Sequence, residues 1–264
     1  MIGLGSYAFF WQNSDRSPAP LSLAQQLQRT RDLDVDLFQI CDWLPLLAMS
    51  AAELRDARAT ADDLGIRLEL GTKGIATDHL ATFLELADVL GADVVRSMVF
   101  GPDSRPTLPE AERLLREIMP RFEDAGVTLA LETYEQLSSA ELVALVEAVG
   151  SDRLGICLDP ANTVAALEHP RDVVERCAAL TRNIHIKDFR FTRRGGWVGF
   201  TLEGAPLGEG LLDLEHLLAT VRPADRGIST IVEHWLPWTD DYDTTARLEN
   251  DWTAATLTAL RSME

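Results

Sequence analysis

The sequence predicts a single (β/α)8 barrel that spans residues 1–264. Short apolar runs rich in β-branched residues alternate with longer segments of helical period, which is typical of a parallel sheet built from βαβ units. The units follow one another about every 25 to 35 residues, as expected for strand–helix repeats that close into a barrel. An open doubly wound sheet is the structural alternative, but no glycine-rich phosphate loop follows the first predicted strand. No Pro/Ser-rich linker or change of composition indicates a second domain.

Each predicted strand is an apolar run bounded by polar residues, glycine or proline. In chain order the runs are IGLGSYAF from Ile2, LFQIC from Leu37, RLELGTK from Arg67, VVRSMVF from Val94, TLALETY from Thr128, LGICLDP from Leu154, NIHIKDF from Asn183 and ISTIVEHW from Ile228. Runs of this length with β-branched and aromatic residues favour strands over helices. We therefore expect parallel strands whose carboxyl ends share one mouth of the barrel.

The segments between the strands have the caps of amphipathic helices. SAAELRDARATADDLG, DHLATFLELADVLGAD and SSAELVALVEAVGSD each open with Ser or Asp and close near a glycine. The longest connection runs from Arg190 to Leu212, after the seventh strand, and is predicted to be a lid or specificity loop. Phe200 and Glu209 are its candidate substrate contacts, and its glycines permit movement.

Charge and composition exclude several classes of partner. Asp and Glu outnumber Lys and Arg by 42 to 24, which gives a formal charge of -18. This charge opposes binding to nucleic acid or to an anionic membrane. The apolar N-terminus lacks a basic leader and is too short for a membrane span. The three cysteines have no C-x-x-C spacing, so a reducing cytoplasmic location is expected.

Four side chains that can bind a metal lie at the ends of the last four predicted strands. They are Glu132, Asp159, His185 and Glu233. Alternate residues of a strand point the same way, so Glu132 shares a face with Ala130. At the carboxyl mouth of a barrel the four side chains would converge on one point. Three carboxylates and one imidazole favour Mn2+, Mg2+ or Co2+ over a thiolate-bound metal.

Each of these residues has a structural alternative when it is considered alone. Asp159 precedes a proline and would serve equally as a helix cap or a solvated loop residue. His185 is flanked by isoleucines and would also suit a hydrogen-bonded position in the core. The four together at successive strand ends are harder to explain in this way, so a metal site is our first hypothesis.

The motifs LALET, GICLDPAN, NIHIKD, PLGEGLLD and IVEHW, in this order, resemble the xylose-isomerase-like barrel superfamily, often called sugar phosphate isomerase/epimerase. The resemblance covers nearly the whole chain and implies that Glu132, Asp159, His185 and Glu233 bind the metal. A narrower similarity, in FQICDWLPL and in HIKDF followed by VGFTLEGAPLGEGLLD, points to the 3-oxoisoapionate decarboxylase group. Members of that group, as the resemblance implies, remove CO2 from a branched 3-oxo sugar acid and leave a ketotetrose. Asn162 stands where ketose epimerases have a histidine, and it would still hydrogen-bond a hydroxyl.

Isomerisation, epimerisation and decarboxylation of a 3-oxo acid share an enolate or enediolate, whose negative charge a metal would stabilise. In the isomerase hypothesis Glu132 and Glu233 would move a carbon-bound proton, whereas loss of CO2 generates the enolate directly. Lys187 is predicted to hold a substrate carboxylate or phosphate, with a salt bridge to Glu209 or Asp159 as the alternative. Asp42 and Trp43 would close the other side of the pocket.

Four functions are compatible with these residues. The first is a metal-dependent lyase for a 3-oxo sugar acid, and the second is a sugar or sugar phosphate isomerase or epimerase. A DNA-repair endonuclease would use the same barrel, but the acidic charge argues against it. A non-catalytic sugar-binding barrel is the fourth. A homodimer through Trp238 and Trp252 is also considered, although packing of these side chains within one chain would explain them as well.

Overall fold

The computed structural model describes residues 1–263, and its centre is a closed barrel of eight parallel strands. The ten strands are β1 (Ile2–Gly5), β2 (Leu37–Cys41), β3 (Arg67–Gly71), β4 (Val94–Ser97), β5 (Thr128–Glu132), β6 (Leu154–Leu158), β7 (Thr181–Ile186), β8 (Phe189–Arg193), β9 (Phe200–Gly204) and β10 (Ser229–Val232). Around the barrel, β1 to β7 follow the order of the chain and β10 closes the circle between β7 and β1. The predicted barrel is therefore confirmed.

Helices cover the outside of the barrel between successive strands. They are α1 (Phe10–Asn13), α2 (Leu23–Asp32), α3 (Ala51–Leu64), α4 (Thr77–Leu90), α5 (Leu108–Ala125), α6 (Ser139–Val149), α7 (Pro160–Thr163), α8 (Pro170–Cys177), α9 (Leu214–Val221), α10 (Pro223–Arg226) and α11 (Tyr242–Arg261). Capping boxes begin α2, α3, α5 and α6, and a left-handed glycine ends α3 to α6. One predicted cap is wrong: α4 begins after Ala76, so Asp78 lies in its first turn, where it favours the helix dipole.

The strands end earlier than the apolar runs predicted. The first run continues to Phe9, but β1 ends at Gly5 and Ser6–Phe9 forms a 3-10 turn. The last run likewise extends past Val232, where β10 ends. These residues are mostly buried where the chain leaves the barrel, and only single backbone hydrogen bonds continue the pairing, such as that from the N–H of Glu233 to the carbonyl of Ile186. As a result, several polar side chains of the mouth lie directly after a strand end.

The inside of the barrel is polar, whereas the space between strands and helices is apolar. Phe38 and Ile40 of β2 and Leu70 of β3 are buried in the hydrophobic core. Gln39 and Glu69, at neighbouring positions of β2 and β3, are equally buried but hydrogen-bond each other inside the barrel. Strand residues alternate between the two environments, which explains polar residues within otherwise apolar strands.

The connection from Arg190 to Leu212 is more ordered than a loop. Its first half forms the antiparallel hairpin of β8 and β9. Its second half is held by the carboxylate of Asp188, which accepts backbone N–H bonds from Gly208 at 2.9 Å, Gly210 at 3.0 Å and Leu212 at 2.9 Å. A side chain at Gly210 would collide with Asp188, since a Cβ there would lie 2.2 Å from its Oδ1. The conformation of this segment therefore depends on a residue next to β7.

The last helix packs across the first turn of the chain. Trp252 of α11 is only 9% exposed and meets His234 edge to face with ring centroids 5.9 Å apart. Trp238 is half-buried, with its ring centroid 5.1 Å from that of Trp11. Trp252 is therefore not an exposed surface residue, and packing within the chain explains its position.

No helix within residues 1–263 combines the length and the apolar character needed to cross a bilayer.

A buried carboxylate in α11 predicts a pH dependence of stability. Glu249 accepts hydrogen bonds from the backbone N–H groups of Trp11 and Gln12, yet burial raises its pKa from 4.5 to about 7. Between these two values the unfolded chain is ionised and the folded chain is protonated, so stability falls as the pH rises. We expect Glu249 to contribute a loss of about 3 kcal/mol across this window.

Urea unfolding of the wild type and of Glu249→Gln at pH 5 and pH 8 measures this contribution. The variant lacks the titrating group, so its stability should fall less between the two pH values. Equal losses in the two proteins would contradict the assignment.

Candidate active site

The four predicted ligand residues meet at the carboxyl mouth of the barrel. Glu132 is the last residue of β5, His185 lies within β7, and Asp159 and Glu233 directly follow β6 and β10. All four are buried. Ligand atoms of Glu132, Asp159 and His185 lie within 4.8 Å of one another. Glu233 is outside this mutually close triad, but its Oε2 lies 3.4 Å from Nδ1 of His185.

A hydrogen-bond network inside the barrel orients the imidazole of His185. Its Nε2 lies 2.9 Å from Oε1 of Gln39, whose Nε2 donates to Glu69 at 3.1 Å and to Asn183 at 3.2 Å. Because the amide nitrogen of Gln39 donates to Glu69 and Asn183, its amide oxygen is the atom that faces His185. The acceptor oxygen requires a proton on Nε2 of His185. Nδ1 is therefore the nitrogen that faces the carboxylates.

The opposite edge of this imidazole faces two carboxylate oxygens. Nδ1 of His185 lies 3.2 Å from Oε1 of Glu132 and 3.4 Å from Oε2 of Glu233. A lone pair directed at two carboxylates is repulsive in a buried place. A positive charge, either a proton on Nδ1 or a cation held between the groups, removes this repulsion.

Arg96 was not among the predicted site residues, although it is central to the site. Its guanidinium is 4% exposed and lies 2.6 Å from Oε2 of Glu132 and 3.3 Å from Oδ2 of Asp42. It also donates to the carbonyl of Thr72 at 2.9 Å. Burial alone would raise the pKa of Glu132, but Arg96 and His185 outweigh it, so this pKa is lowered. Glu132 is therefore an ionised, ion-paired carboxylate.

Lys187 forms ion pairs within the cluster. Its Nζ lies 2.9 Å from Oδ2 of Asp159 and 3.1 Å from Oε2 of Glu233, and 4.7 Å from the ring centre of Trp235. Burial would lower the pKa of Lys187, but Asp159 and Glu233 outweigh it and raise this pKa. The alternative of a salt bridge to Asp159 is confirmed. Within residues 1–263 no ion pair joins Lys187 to Glu209.

Asp42 forms ion pairs with two cations and accepts a hydrogen bond from a hydroxyl on the β2 side of the mouth. Its Oδ2 accepts from Tyr7 Oη at 3.1 Å and lies 3.3 Å from Arg96 Nη1 and 3.3 Å from Lys73 Nζ. Burial, together with Asp42, raises the pKa of Tyr7, which therefore stays a neutral donor. Asp42 also has a positive φ of 50°, an uncommon conformation that aspartate tolerates better than most residues.

A cavity of about 300 Å3 opens beside Asp42. Tyr7, Phe10, Asp42 and Trp43 are among its lining residues. This volume is at the lower end of the range for small-molecule sites, and the aromatic walls suit the carbon face of a sugar. The structure thus places Asp42 and Trp43 together at a pocket, as their predicted role requires.

Asn162 lies in α7, the short helix after β6, and its side chain contacts Glu132. Its Nδ2 donates to Oε1 of Glu132 at 3.1 Å and to the carbonyl of Thr133 at 3.2 Å. Asp159 fixes this turn, because its Oδ1 accepts from the backbone N–H groups of Ala161 and Asn162. Oδ1 of Asp159 is thus a helix cap, which was the structural alternative for this residue. Its Oδ2 pairs with Lys187 at the mouth of the barrel.

The two residues predicted for the lid remain at the surface. Phe200 is 57% exposed, and the guanidinium carbon of Arg193 lies 4.3 Å from the centre of its ring. Glu209 is exposed, and its backbone N–H bonds to the carbonyl of Pro206. In the described part of the chain no ion pair or side-chain hydrogen bond links either residue to the carboxylate cluster. Contact with substrate stays a prediction for both.

The side chains present fit a divalent cation. Oε1 of Glu233 and Oδ1 of Asn162 are buried acceptors without a hydrogen-bond partner in residues 1–263. Such atoms are costly unless something pairs with them. The convergent ligand atoms of Glu132, Asp159 and His185 are two carboxylate oxygens and one imidazole nitrogen, a donor set that Mn2+ and Mg2+ accept.

The sequence contained a signal for the residues that were missed. Arg96 in VVRS, Gln39 in LFQIC and Glu69 in RLELG each interrupt an apolar strand with a polar side chain. In a barrel, such a residue must either point inward or carry an unpaired polar group into the hydrophobic layer. Lys73 and Tyr7 gave no comparable signal, because they lie beyond strand ends among residues of mixed character.

Sequence comparison gives one long match with a named enzyme. The chain is 50% identical over 259 residues to a protein of Pectobacterium atrosepticum named 3-oxo-isoapionate decarboxylase, covering 98% of this chain and 94% of the relative. A shorter similarity, 36% over 78 residues, links it to the uncharacterized protein YihM of Escherichia coli and covers 30% of this chain and 24% of that relative.

Solved structures show the same fold at low sequence identity. A D-psicose 3-epimerase determined in the presence of D-fructose has a TM-score of 0.71 at 16% identity, with 98% of this chain and 97% of that chain covered. A xylose isomerase-like barrel protein from Mycobacterium smegmatis in complex with magnesium has a TM-score of 0.70 at 18% identity, covering 97% and 96%. The family model described as xylose isomerase-like TIM barrel matches residues 27–262. On its barrel, its sequence and this match, the chain belongs to the xylose isomerase-like TIM barrel family.

Proposed function

We propose that this enzyme is a metal-dependent carboxy-lyase that removes CO2 from 3-oxoisoapionate, or a similar 3-oxo sugar acid, and leaves a ketose. The name of the relative that is 50% identical over 98% of the chain supports this reaction. The proposed metal ligands are Glu132, Asp159, His185 and Glu233, and the proposed metal is Mn2+, Mg2+ or Co2+. When bound, such a cation would supply the positive charge that stabilises an enolate oxygen.

The observation that carries the proposal is that Glu132 and Glu233, the two bases that an isomerase would use, are each paired with a cation. Arg96 pairs with Glu132 at 2.6 Å, and Lys187 pairs with Glu233 at 3.1 Å. An isomerase or epimerase needs a free carboxylate to take a proton from carbon. Decarboxylation needs no such base, because departure of CO2 leaves its electron pair on the enolate. The ion pairs therefore favour the lyase over the isomerase.

The balance of charge at the mouth also favours an acidic substrate. The four carboxylates of Asp42, Glu132, Asp159 and Glu233 face the three cations Lys73, Arg96 and Lys187. A divalent cation would leave one positive charge in excess, although the whole protein has a formal charge of -18. A monoanionic sugar acid would neutralise this excess, whereas a neutral ketose would not.

The other side chains of the site would then have the following roles. Arg96 keeps Glu132 ionised and holds it in place, and Lys187 pairs with Asp159 and Glu233 and fixes their positions. Asn162 can hydrogen-bond a substrate hydroxyl through Oδ1, which has no partner in the described chain. Trp43 and Tyr7 cover the pocket and exclude water, which strengthens the electrostatic interactions inside it.

The test is incubation of the Mn2+-supplemented protein with 3-oxoisoapionate in deuterated water. We expect CO2 and a ketotetrose, with no deuterium in the unreacted substrate. Exchange of a C–H proton without release of CO2 would contradict the lyase and support the sugar isomerase or epimerase. Binding of sugars without any turnover would support the non-catalytic alternative.

Gln39 provides a prediction about the metal site alone. Gln39→Leu removes the acceptor that places the proton of His185 on Nε2, so Nδ1 is no longer held as the free nitrogen. Loss of such an orienting hydrogen bond typically weakens metal binding by about 10- to 100-fold. Competition with a fluorescent chelator would measure the Mn2+ affinity. An unchanged affinity would show that Gln39 does not orient the ligand.

A further inference from the structure

Lysine occurs at two places in this chain, and both are at the mouth of the barrel. Lys73 and Lys187 are the only lysines among 264 residues, and the other basic residues are arginines. Lys73 follows β3 by two residues and Lys187 directly follows β7. The side-chain cations elsewhere are guanidinium groups or histidines, whereas both lysine ammonium groups pair with carboxylates of the mouth. An ammonium group is a point charge on a flexible stem, unlike the planar fork of arginine.

The two lysines differ in how firmly they are held. Lys187 is 5% exposed and pairs with two carboxylates, Asp159 and Glu233. Lys73 is 41% exposed and has a single ion pair, 3.3 Å to Oδ2 of Asp42. Lys187 thus belongs to the architecture of the cluster. Lys73 has one weak partner and open space around its stem, so it is the cation free to meet an incoming ligand.

Asp42 would remain satisfied if Lys73 left it. Its carboxylate keeps the guanidinium of Arg96, at 3.3 Å from Oδ2, and the hydroxyl of Tyr7 at 3.1 Å. Transfer of Lys73 to a ligand therefore leaves no buried charge without a partner, which is the usual obstacle to breaking such a pair. Because the side chain of Lys73 is partly exposed, a second carboxylate can reach its ammonium group from solvent.

We propose that Lys73 is a specificity-determining residue that binds the carboxylate of the substrate, an inference that rests on the proposed function. The earlier prediction gave this contact to Lys187, but Lys187 is already committed to two carboxylates. When the bond between the carboxylate carbon and its neighbour breaks, the electron pair passes to the enolate, which then takes a proton from water. Neutral CO2 leaves, so Lys73 loses its partner and returns to Asp42.

Binding of two small ketones to the Mn2+-supplemented protein tests the proposal. Acetonylsulfonate carries the ketone and the anion of a 3-oxo acid but cannot lose CO2, and hydroxyacetone is a neutral ketone of similar size. We expect Lys73→Met to weaken acetonylsulfonate binding by roughly 10- to 100-fold, the value of a hydrogen bond to a charged group. Hydroxyacetone and Mn2+ should bind as in the wild type. Lys73→Arg should keep most of the affinity, because it keeps the charge.

The matched control is Arg55→Met, which removes an exposed cation of α3 that takes no part in the ion pairs of the mouth. Calorimetry would give the affinities, and urea unfolding would show that each variant is folded. A second measurement uses reductive 13C-methylation, since two lysines and the N-terminus give few signals. Acetonylsulfonate should shift the Lys73 signal, and hydroxyacetone should not.

Equal affinity of the wild type and Lys73→Met for acetonylsulfonate would overturn the proposal, whatever the reaction. Equal affinity of the wild type for the two ketones would overturn it too, because no anion site would exist. If Lys73→Met loses acetonylsulfonate but no 3-oxo acid is decarboxylated, the carboxylate site stands and the proposed function fails. The two failures are therefore distinguishable.

Discussion

In the proposed decarboxylation, the Asp159→Asn variant is expected to release CO2 roughly 100- to 1000-fold more slowly than the wild type. A bound metal typically supplies several kcal/mol of charge stabilisation, and about 1.4 kcal/mol corresponds to a factor of ten in rate. Asparagine keeps an oxygen for the backbone N–H groups of Ala161 and Asn162 but lacks the charge next to Lys187. The turn should therefore survive while the metal is lost. A chelator should reduce the wild-type rate as strongly, and added Mn2+ or Mg2+ should restore it.

Asp213→Asn is the matched control for this substitution. Asp213 also caps a helix, accepting from the backbone N–H of His216 at 3.1 Å, but it lies at the surface beside Arg171. The same chemical change there should leave the rate and the metal content unchanged. A full rate in Asp159→Asn with no metal bound would refute the metal-dependent mechanism.

Arg96→Met is expected to be the most destabilising of the substitutions considered. It leaves Glu132, which is 1% exposed, and Asp42, which is 11% exposed, without their shared cation. Removal of one partner from a buried ion pair typically costs about 3–5 kcal/mol, because the other charge remains buried and uncompensated. CO2 release should also fall, because Glu132 loses the group that holds it.

Urea unfolding with and without Mn2+ would measure this loss. Part of the stability should return with Mn2+, since the metal would neutralise Glu132 in place of Arg96. The control is Arg113→Met, whose ion pair with Glu117 is exposed on both sides and should contribute less than about 1 kcal/mol. A loss for Arg96→Met as small as that of the control would show that the buried pair does not stabilise the site.

Several features of the site could be predicted from the sequence because they follow from local periodicity. Glu132, Asp159, His185 and Glu233 each end an apolar run, and parallel strands of a barrel present their carboxyl ends at one mouth. The fold and the position of the site could therefore be predicted without knowing which side chains are in contact. The strand ends themselves were too long by up to four residues at β1, because apolar residues that pack after a strand resemble residues within it.

Pairing between side chains from distant strands could not be predicted in the same way. Arg96 forms ion pairs with both Glu132 and Asp42. Lys187 forms ion pairs with Asp159 and Glu233 rather than with Glu209. The β8–β9 hairpin and its anchor, Asp188, likewise depend on contacts between separate segments. Their free energies depend on burial and on distances that exist only in the folded chain.

The barrel, the number and order of its strands, and the place of Glu132, Asp159, His185 and Glu233 at its mouth could be predicted without the structure, because strand and helix periods are local properties of the chain. Only the folded chain shows which charges of the mouth pair with one another, which nitrogen of His185 faces the carboxylates, and which lysine has a single ion pair. These depend on electrostatic interactions at a few ångströms between residues far apart in sequence, and closing the barrel brings them within that distance.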